Sequence, residues 1–234
     1  MERQTAGAIK QEPVDFNHPP RSYAVHETGD WKIFVEQQLI DSDAPVAKAA
    51  LERLKLNLQE IDRRLPASAL RDLHRVKVFL MLGPKAKAGG RSNGLEYFCP
   101  SADQGQAWLD PRMSSGIVIF HAANFNQLSD FWALKALVHE LGHAQHLEHW
   151  PENRSDIYDT WKHAMESRLY QVVRAEDKDS FNPNYAAQNH LEYFAELTAT
   201  YFVGNQYYPR DRASLKGYDP EGHALIEKLW KTPQ

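Results

Sequence analysis

The sequence predicts an α+β fold, with a small mixed sheet that includes an edge strand in the N-terminal half and a helical C-terminal half. Strand-like segments come first along the chain and helix-like segments later, which is typical of this class. Apolar residues make up 42% of the 234 positions, so the chain can bury a core of ordinary size. The longest apolar runs are far too short to span a bilayer.

Charge and cysteine content exclude several classes of protein. The chain has 27 Lys and Arg against 31 Asp and Glu, a net charge of −4. Nucleic acid is therefore not expected as a partner, because phosphate binding usually needs a concentrated basic face. The single cysteine, Cys99, excludes an intrachain disulfide and a cysteine metal cluster. We also expect no membrane partner, and the oligomeric state stays open.

Two regions differ in character along the chain. Residues 1–28 are polar, contain three prolines and show no apolar periodicity, which predicts a flexible N-terminal arm. Residues 29–234 contain no repeat and no clear boundary, which predicts a single domain. No secretory leader follows Met1, so we expect a cytoplasmic protein, or a secreted one if a leader was removed.

The pattern of apolar residues predicts the elements of this domain. Short apolar or alternating runs predict strands over residues 31–40, 76–82, 95–99 and 117–120. Apolar residues at helical spacing predict helices over residues 45–64, 66–73, 156–174, 188–203 and 220–230. A further helix, capped by Ser129 or Asp130, runs through Leu141.

The strongest chemical signal is the run His139-Glu140-Leu141-Gly142-His143 inside that helix. Two histidines four residues apart share one helix face and lie about 6 Å apart along the axis, so their imidazoles can bind one metal ion. Glu140 lies beside them and can act as the general base on a metal-bound water. The pattern predicts a metal centre with His139 and His143 as ligands.

A catalytic zinc site needs a third protein ligand, and two residues compete for this role. His149 would complete the outline HExxHxxGxxH of the metzincin proteases. The glycine at which that helix turns back is replaced here by His146, whose Cβ makes a left-handed turn costly. We therefore interpret His146 and His149 as a solvated helix end.

Glu192 is the favoured third ligand. It lies four residues before Glu196 on a predicted helix, so both carboxylates share one face. Two carboxylates near a core are costly unless something positive pairs with them, and a zinc ion would supply that charge. We expect Glu192 to bind the metal and Glu196 to accept the outer N–H of a ligand histidine.

The HELGH run and the later stretch from Tyr185 to Glu196 resemble the gluzincin metallopeptidases of the lethal-factor and Pro-Pro endopeptidase type. In that family the first Glu of an E-[FY]-F-A-E stretch is the third zinc ligand, and a Tyr seven residues earlier stabilises the oxyanion. The resemblance implies these roles for Glu192 and Tyr185, one Zn²⁺ per chain and a zincin-like fold. Residues 185–203 also resemble a group of uncharacterised bacterial and fungal metallopeptidase-like proteins.

The resemblance also implies a role for the strand before the metal-binding helix. In that family this strand is a sheet edge along which an extended substrate lies, and edge strands are ready templates for main-chain pairing. An interior strand is the alternative, and for His121 a structural role is favoured over a place in the cleft. We expect the substrate-edge strand to comprise Gly116, Ile117, Val118, Ile119, Phe120 and His121.

Together these residues predict a zinc peptidase, more specifically an endopeptidase, acting on a peptide or protein substrate. Glu140 would move the proton of the metal-activated water, and zinc with Tyr185 would hold the oxyanion. One alternative is an aminopeptidase of the same zinc class, which would need groups that grip a free amino terminus. Another is a non-catalytic binding module that keeps zinc for structure, against which the intact Glu140 argues.

Overall fold

The computed structural model describes residues 21–99, 109–171, 173–174, 179–180 and 184–231, and it confirms the predicted α+β fold. The strands of the main sheet are β1 Tyr23–Thr28, β2 Trp31–Glu36, β3 Lys77–Leu80, β4 Leu95–Phe98 and β5 Gly116–Ile119. A two-stranded ribbon consists of β6 Val173–Arg174 and β7 Asp179–Ser180.

Helices make up most of the described C-terminal half. The N-terminal half contains α1 Gln37–Ser42, α2 Ala44–Arg64 and α3 Ala67–Leu73. The later helices are α4 Ala122–Gln127, α5 Asp130–His149, α6 Ser155–Glu166, α7 His190–Phe202, α8 Arg212–Tyr218 and α9 Pro220–Lys231. Among the described residues, no helix combines the length and the apolar character that crossing a membrane requires.

The main sheet has the order β1-β2-β3-β5-β4. The three central strands β2, β3 and β5 run parallel, while β1 and β4 pair antiparallel with their neighbours. One face packs on the large core that also includes apolar side chains of α2, α5 and α7. The other face is covered by a smaller cluster around Phe79, Phe98 and Met113. All four residues of β5 are buried, as expected for a strand with neighbours on both sides.

The substrate edge predicted over residues 116–121 is wrong, because β5 lies inside the sheet between β3 and β4. Residues 95–98 return antiparallel and cover the side of β5 that was expected to be free. Gly116 shows how tightly β5 is packed, since a Cβ there would lie 2.9 Å from the Met113 carbonyl oxygen and from the Phe79 ring. Among the described strands, β4 is the edge strand that contacts α5.

Three predicted boundaries also need correction. The arm predicted over residues 1–28 is too long, because Tyr23–Thr28 pairs with β2, while residues 1–20 lie outside the described part of the chain. The strand predicted over residues 31–40 ends at Glu36, where α1 follows. The helix predicted over residues 156–174 ends at Glu166, because Arg168 and Tyr170 adopt positive φ angles that an α-helix excludes.

The packing of α5 on α7 brings the two halves of the predicted site together. Gly142, between the two predicted histidine ligands of α5, lies at this contact. A Cβ at Gly142 would be 3.0 Å from the Cα of Ala195 and 3.4 Å from the Cβ of Thr198. The missing side chain therefore allows the two helix backbones to approach closely.

Substitution of Gly142 tests this contact. Gly142→Val places a branched side chain against the α7 backbone, so we expect the free energy of unfolding to fall by about 1–3 kcal/mol, the usual effect of overpacking. Gly217→Val is the matched control, because Gly217 is exposed in α8 and a Cβ there has no heavy atom within 4 Å. Denaturant titrations compare the two variants, and equal stabilities would contradict the close contact.

Candidate metal centre

Helix α5 presents His139 and His143 one turn apart on the same face. Ser129 caps this helix, and its side chain accepts a hydrogen bond from the Trp132 backbone N–H at 3.2 Å. The Nε2 atoms of the two histidines are 3.2 Å apart. Their rings meet edge to face, with centroids 4.9 Å apart. The two ring nitrogens therefore converge on one point.

Helix α7 supplies a third donor atom at that point. Asn189 caps this helix by accepting a hydrogen bond from the Glu192 backbone N–H at 2.9 Å, which places Glu192 in the first turn. Its Oε2 lies 3.0 Å from Nε2 of His139 and 3.4 Å from Nε2 of His143. Ligands of a tetrahedral zinc ion with bonds of about 2.0–2.1 Å are about 3.3 Å apart. The three atoms thus have the spacing that one zinc ion requires.

Glu196 lies one turn further along α7 and contacts the opposite side of the His139 ring. Its Oε1 is 3.1 Å from Nδ1 of His139. Its carboxylate also accepts hydrogen bonds from Lys135 Nζ, at 2.9 and 3.1 Å, and from the Tyr207 hydroxyl at 3.2 Å. An ionised carboxylate only accepts hydrogen bonds. A metal ligand must be a neutral ring, and in the neutral ring of His139 the hydrogen is on Nδ1, which leaves Nε2 as the donor atom for a metal.

The charges of the site favour a cation between these acceptor atoms. Burial disfavours the charged ring of His139, but its hydrogen bonds to Glu192 and Glu196 outweigh burial and raise its pKa to about 10. Burial also opposes the negative charge of Glu192, yet hydrogen bonds from His139 and His143 lower its pKa to about 2. A proton can be shared by only two of the atoms His139 Nε2, His143 Nε2 and Glu192 Oε2, whereas a single metal ion can be bound by all three.

Glu140 follows His139 in the chain and contacts strand β4. Its Oε2 accepts a hydrogen bond from the Tyr97 backbone N–H at 2.7 Å. The residue is 9% exposed. Burial raises the pKa of its carboxyl above the ordinary value, although His139 and His143 act in the opposite direction. A carboxylate whose pKa is raised is the stronger base.

Tyr185 begins a 3₁₀ turn, Tyr185–Ala187, that Asn184 caps with its side chain. Its ring centroid lies 5.6 Å from that of His139. The side chain is 45% exposed, so a molecule from solvent can reach it. Burial, followed by nearby carboxylates such as Glu192, raises the pKa of Tyr185 to about 12. The hydroxyl therefore keeps its proton at neutral pH and can donate a hydrogen bond.

A cleft of about 510 Å³ opens beside these side chains, and we call it the α5 cleft. His139, Glu140, Tyr185 and Glu196 all contribute to its wall. The apolar part of the wall is formed by Leu95, Ile119, Phe125, Leu128, Trp132 and Ala136. The candidate metal centre is thus open to a sizeable ligand.

The remaining predicted residues lie elsewhere. Helix α5 continues unbroken to the exposed His149, so the chain does not turn back to the metal-binding atoms as in the metzincin outline. The interpretation of His146 as part of a solvated helix end is wrong, because His146 is buried and packs edge-on against Phe194. His121 follows β5, and its Nδ1 lies 3.0 Å from the Ser92 carbonyl oxygen, which is a structural contact.

Sequence reasoning missed two residues of this site. Lys135 contacts Glu196 from a position four residues before His139, so it shares the helix face of the metal-binding atoms. The signal that could have found it is a lysine inside the otherwise apolar run of residues 131–138. Tyr97 contributes a backbone N–H, which a motif of side chains cannot reveal.

Comparisons of the sequence with protein-family models and with curated proteins identify no related protein. No protein-family model matches the chain, and no curated protein matches it either. The resemblance to gluzincins therefore stays a prediction, and the candidate site depends on the motif and on the geometry described above.

Metal content separates the two candidates for the third ligand. Glu192→Ala removes the oxygen that faces both histidine nitrogens, so the purified protein should lose most of its zinc. His149→Ala, at the exposed end of α5, should leave zinc content unchanged. Glu196→Ala should weaken zinc binding by about 10- to 100-fold, as for other residues that orient a ligand. Elemental analysis checks this, and retention of zinc by Glu192→Ala would contradict the site.

His146 should make the stability of the protein depend on pH. Burial lowers the pKa of His146 to about 4 in the folded chain, against about 6.5 in the unfolded chain. Above pH 6.5 the ring is neutral in both states, so its protonation does not reduce the free energy of unfolding. Between pH 6.5 and 4 the unfolded state binds a proton that the folded state does not bind, so the free energy of unfolding falls. Denaturant titrations of His146→Gln should show a shallower decline over this range, and curves parallel to those of the wild type would contradict a buried neutral ring.

Proposed function

We propose that this protein is a zinc-dependent peptidase, and more specifically an endopeptidase. The observation that carries the proposal is the convergence of His139 Nε2, His143 Nε2 and Glu192 Oε2 within 3.0–3.4 Å of one another. These atoms lie beside the buried carboxylate of Glu140 and at the wall of an open cleft. Three protein donors with space for a further ligand are the arrangement of catalytic zinc sites, whereas structural sites are closed by four.

Glu140 is the proton carrier in this proposal. Zinc bound at the site would supply a Lewis acid that polarises a peptide carbonyl and makes a water molecule more acidic. Glu140 would accept the proton of the attacking water and deliver it to the leaving amine nitrogen. The Tyr97 N–H fixes one of its oxygens, which orients the carboxylate for this transfer.

Tyr185 is the oxyanion donor in this proposal. The residue is half-exposed, its hydroxyl stays protonated at neutral pH, and its ring lies beside that of the proposed ligand His139. A hydrogen bond to the carbonyl oxygen that strengthens as negative charge develops would stabilise the transition state more than the bound substrate.

The free side of β4 would bind the main chain of an extended peptide. The Phe120 N–H donates to the Gly94 carbonyl oxygen at 3.1 Å. Because hydrogen-bonded and non-bonded pairs alternate along an antiparallel ladder, Leu95 and Tyr97 point their N–H and C=O groups away from β5. The Tyr97 N–H is bonded to Glu140, which leaves Leu95 as the position at which a peptide would pair. A peptide paired with Leu95 would pass beside Glu140. In this proposal β4, and not β5 as expected from the sequence, would pair with the main chain of the substrate.

Replacing the general base tests the reaction. Glu140→Gln should retain the fold and the zinc but lose nearly all turnover, because the amide cannot accept a proton. Glu166→Gln, an exposed carboxylate on α6, is the matched control and should keep full activity. Casein hydrolysis with and without a chelator gives the assay. Equal hydrolysis by wild type and Glu140→Gln, or hydrolysis that survives zinc removal, would contradict the proposal.

Replacing the oxyanion donor tests the role of Tyr185. Tyr185→Phe should bind zinc normally and lower kcat by about 10²–10³-fold with little change in KM, because the lost hydrogen bond forms mainly in the transition state. Tyr158→Phe removes a hydroxyl from another exposed tyrosine, on α6, and should be silent. Steady-state kinetics on one peptide compare the variants, and wild-type turnover in Tyr185→Phe would make it a packing residue.

A further inference from the structure

The carboxylate of Glu196 uses both of its oxygens inside the protein. Its Oε1 lies 3.1 Å from Nδ1 of His139 and 3.1 Å from Lys135 Nζ. Its Oε2 accepts hydrogen bonds from Lys135 Nζ at 2.9 Å and from the Tyr207 hydroxyl at 3.2 Å. An ionised carboxylate has about four acceptor positions, so these contacts occupy all of them. Glu196 is therefore held in one orientation, with one oxygen on the His139 ring.

The ammonium of Lys135 is enclosed together with this carboxylate. Lys135 is 3% exposed and Glu196 is 6% exposed, although both belong to the wall of the α5 cleft. Nζ of Lys135 also faces two aromatic rings, at 5.0 Å from the ring centroid of Trp132 and 5.4 Å from that of Tyr207. The charge of Lys135 is thus directed at Glu196, and not at a ligand in the cleft.

A turn after α7 brings Tyr207 back to the same carboxylate. Glu196 lies six residues before the end of α7, so the chain must return about 9 Å along the helix. Gly204 begins this return with a φ of 113°, and a Cβ there would lie 3.0 Å from a backbone carbonyl oxygen across the turn. Gln206 ties the turn to α5, because its Oε1 accepts a hydrogen bond from the Trp132 indole at 3.0 Å. The Tyr207 hydroxyl is therefore held at Glu196 by a turn that is itself anchored.

The orientation of Glu196 determines the direction of the metal-binding nitrogen of His139. With Nδ1 held by Glu196, Nε2 faces Glu192 Oε2 at 3.0 Å. Carboxylates that contact a ligand histidine in this way fix its tautomer and ring orientation and strengthen metal binding. Resting on the proposed function, in which zinc binds here, we infer that Lys135 and Tyr207 are positioning residues. They hold Glu196 against the ligand histidine and thereby raise the affinity of the site for zinc.

Tyr207→Phe tests this inference with the smallest change. It removes the hydroxyl that donates to Glu196 and keeps the ring beside Lys135, so the fold should be retained. Zinc affinity, measured by competition with a chromogenic chelator, should fall by about 2- to 10-fold, the usual effect of one hydrogen bond. Tyr208→Phe, at the neighbouring exposed tyrosine, is the matched control and should leave zinc affinity unchanged.

Lys135→Met tests the larger contribution. It removes two of the four contacts of Glu196, and zinc affinity should fall by about 10- to 100-fold, as for other residues that orient a ligand. The visible absorption of Co²⁺ bound in place of zinc should also change, because it depends on the ligand geometry. Lys162→Met, at an exposed position of α6, is the matched control and should keep the wild-type affinity and spectrum. An unchanged Co²⁺ spectrum in Lys135→Met would contradict a positioning role.

A double variant separates positioning of Glu196 from general support of the fold. Glu196→Ala already lacks the carboxylate that Tyr207 contacts. If Tyr207 acts through this carboxylate, adding Tyr207→Phe to Glu196→Ala should cause no further loss of zinc affinity, because the two effects are coupled. If the double variant shows the full additional loss of Tyr207→Phe, Tyr207 acts by another route and the inference is overturned.

The outcomes separate this inference from the proposed function. A wild-type protein that binds neither zinc nor Co²⁺ would overturn the proposed function, and the inference with it. Wild-type zinc affinity in Tyr207→Phe or in Lys135→Met would overturn the inference and leave the zinc centre standing. If Lys135→Met does not fold, Tyr207→Phe and its double variant decide the inference by themselves.

Discussion

The close packing of α5 against α7 is the constraint on which the candidate metal centre depends. His139 and His143 come from one helix and Glu192 and Glu196 from the other, so their donor atoms meet only if the two backbones approach closely. Gly142 permits this approach, because a side chain at that position would collide with Ala195. Gly142 therefore belongs to the histidine motif and also allows α7 to approach α5 closely enough for Glu192 and Glu196 to contact His139.

The second constraint is the balance of charge around this contact. The carboxylates of Glu140, Glu192 and Glu196 converge on His139 in or at the edge of the core, and the ammonium of Lys135 is the cation that pairs with one of them. Uncompensated charge in such surroundings is costly. One divalent cation together with Lys135 would neutralise the three carboxylates, which is the electrostatic reason to expect a metal such as zinc here.

Most of the correct predictions came from the spacing of residues within single helices. The helical spacing of His139 with His143, and of Glu192 with Glu196, is a property of single helices, so it follows from a pattern along the chain. The same holds for α2, α5, α7 and α9, whose apolar stripes are long. The short helices α1, α4 and α8 have too few residues to show such a stripe, and they were not predicted. Helix α3 is as short, but Pro66 marks its start.

The errors concern features that depend on distant parts of the chain. The position of β5 inside the sheet depends on pairing with residues 95–98, which no periodicity within β5 reveals. His146 is buried because Phe194 of α7 packs on it, although its neighbours in sequence suggested a solvated helix end. Helix α6 ends early because Arg168 and Tyr170 leave the helical conformation, and the Tyr170 hydroxyl donates to Asp219, a buried residue far along the chain.

X-ray absorption spectroscopy at the zinc edge, on protein purified from zinc-replete medium, tests the central claim most directly. The account predicts about one zinc per chain, with nitrogen and oxygen neighbours at about 2.0–2.1 Å, an imidazole signal from two histidines and no sulfur neighbour. A protein without zinc, or a zinc ion with a sulfur ligand, would contradict it.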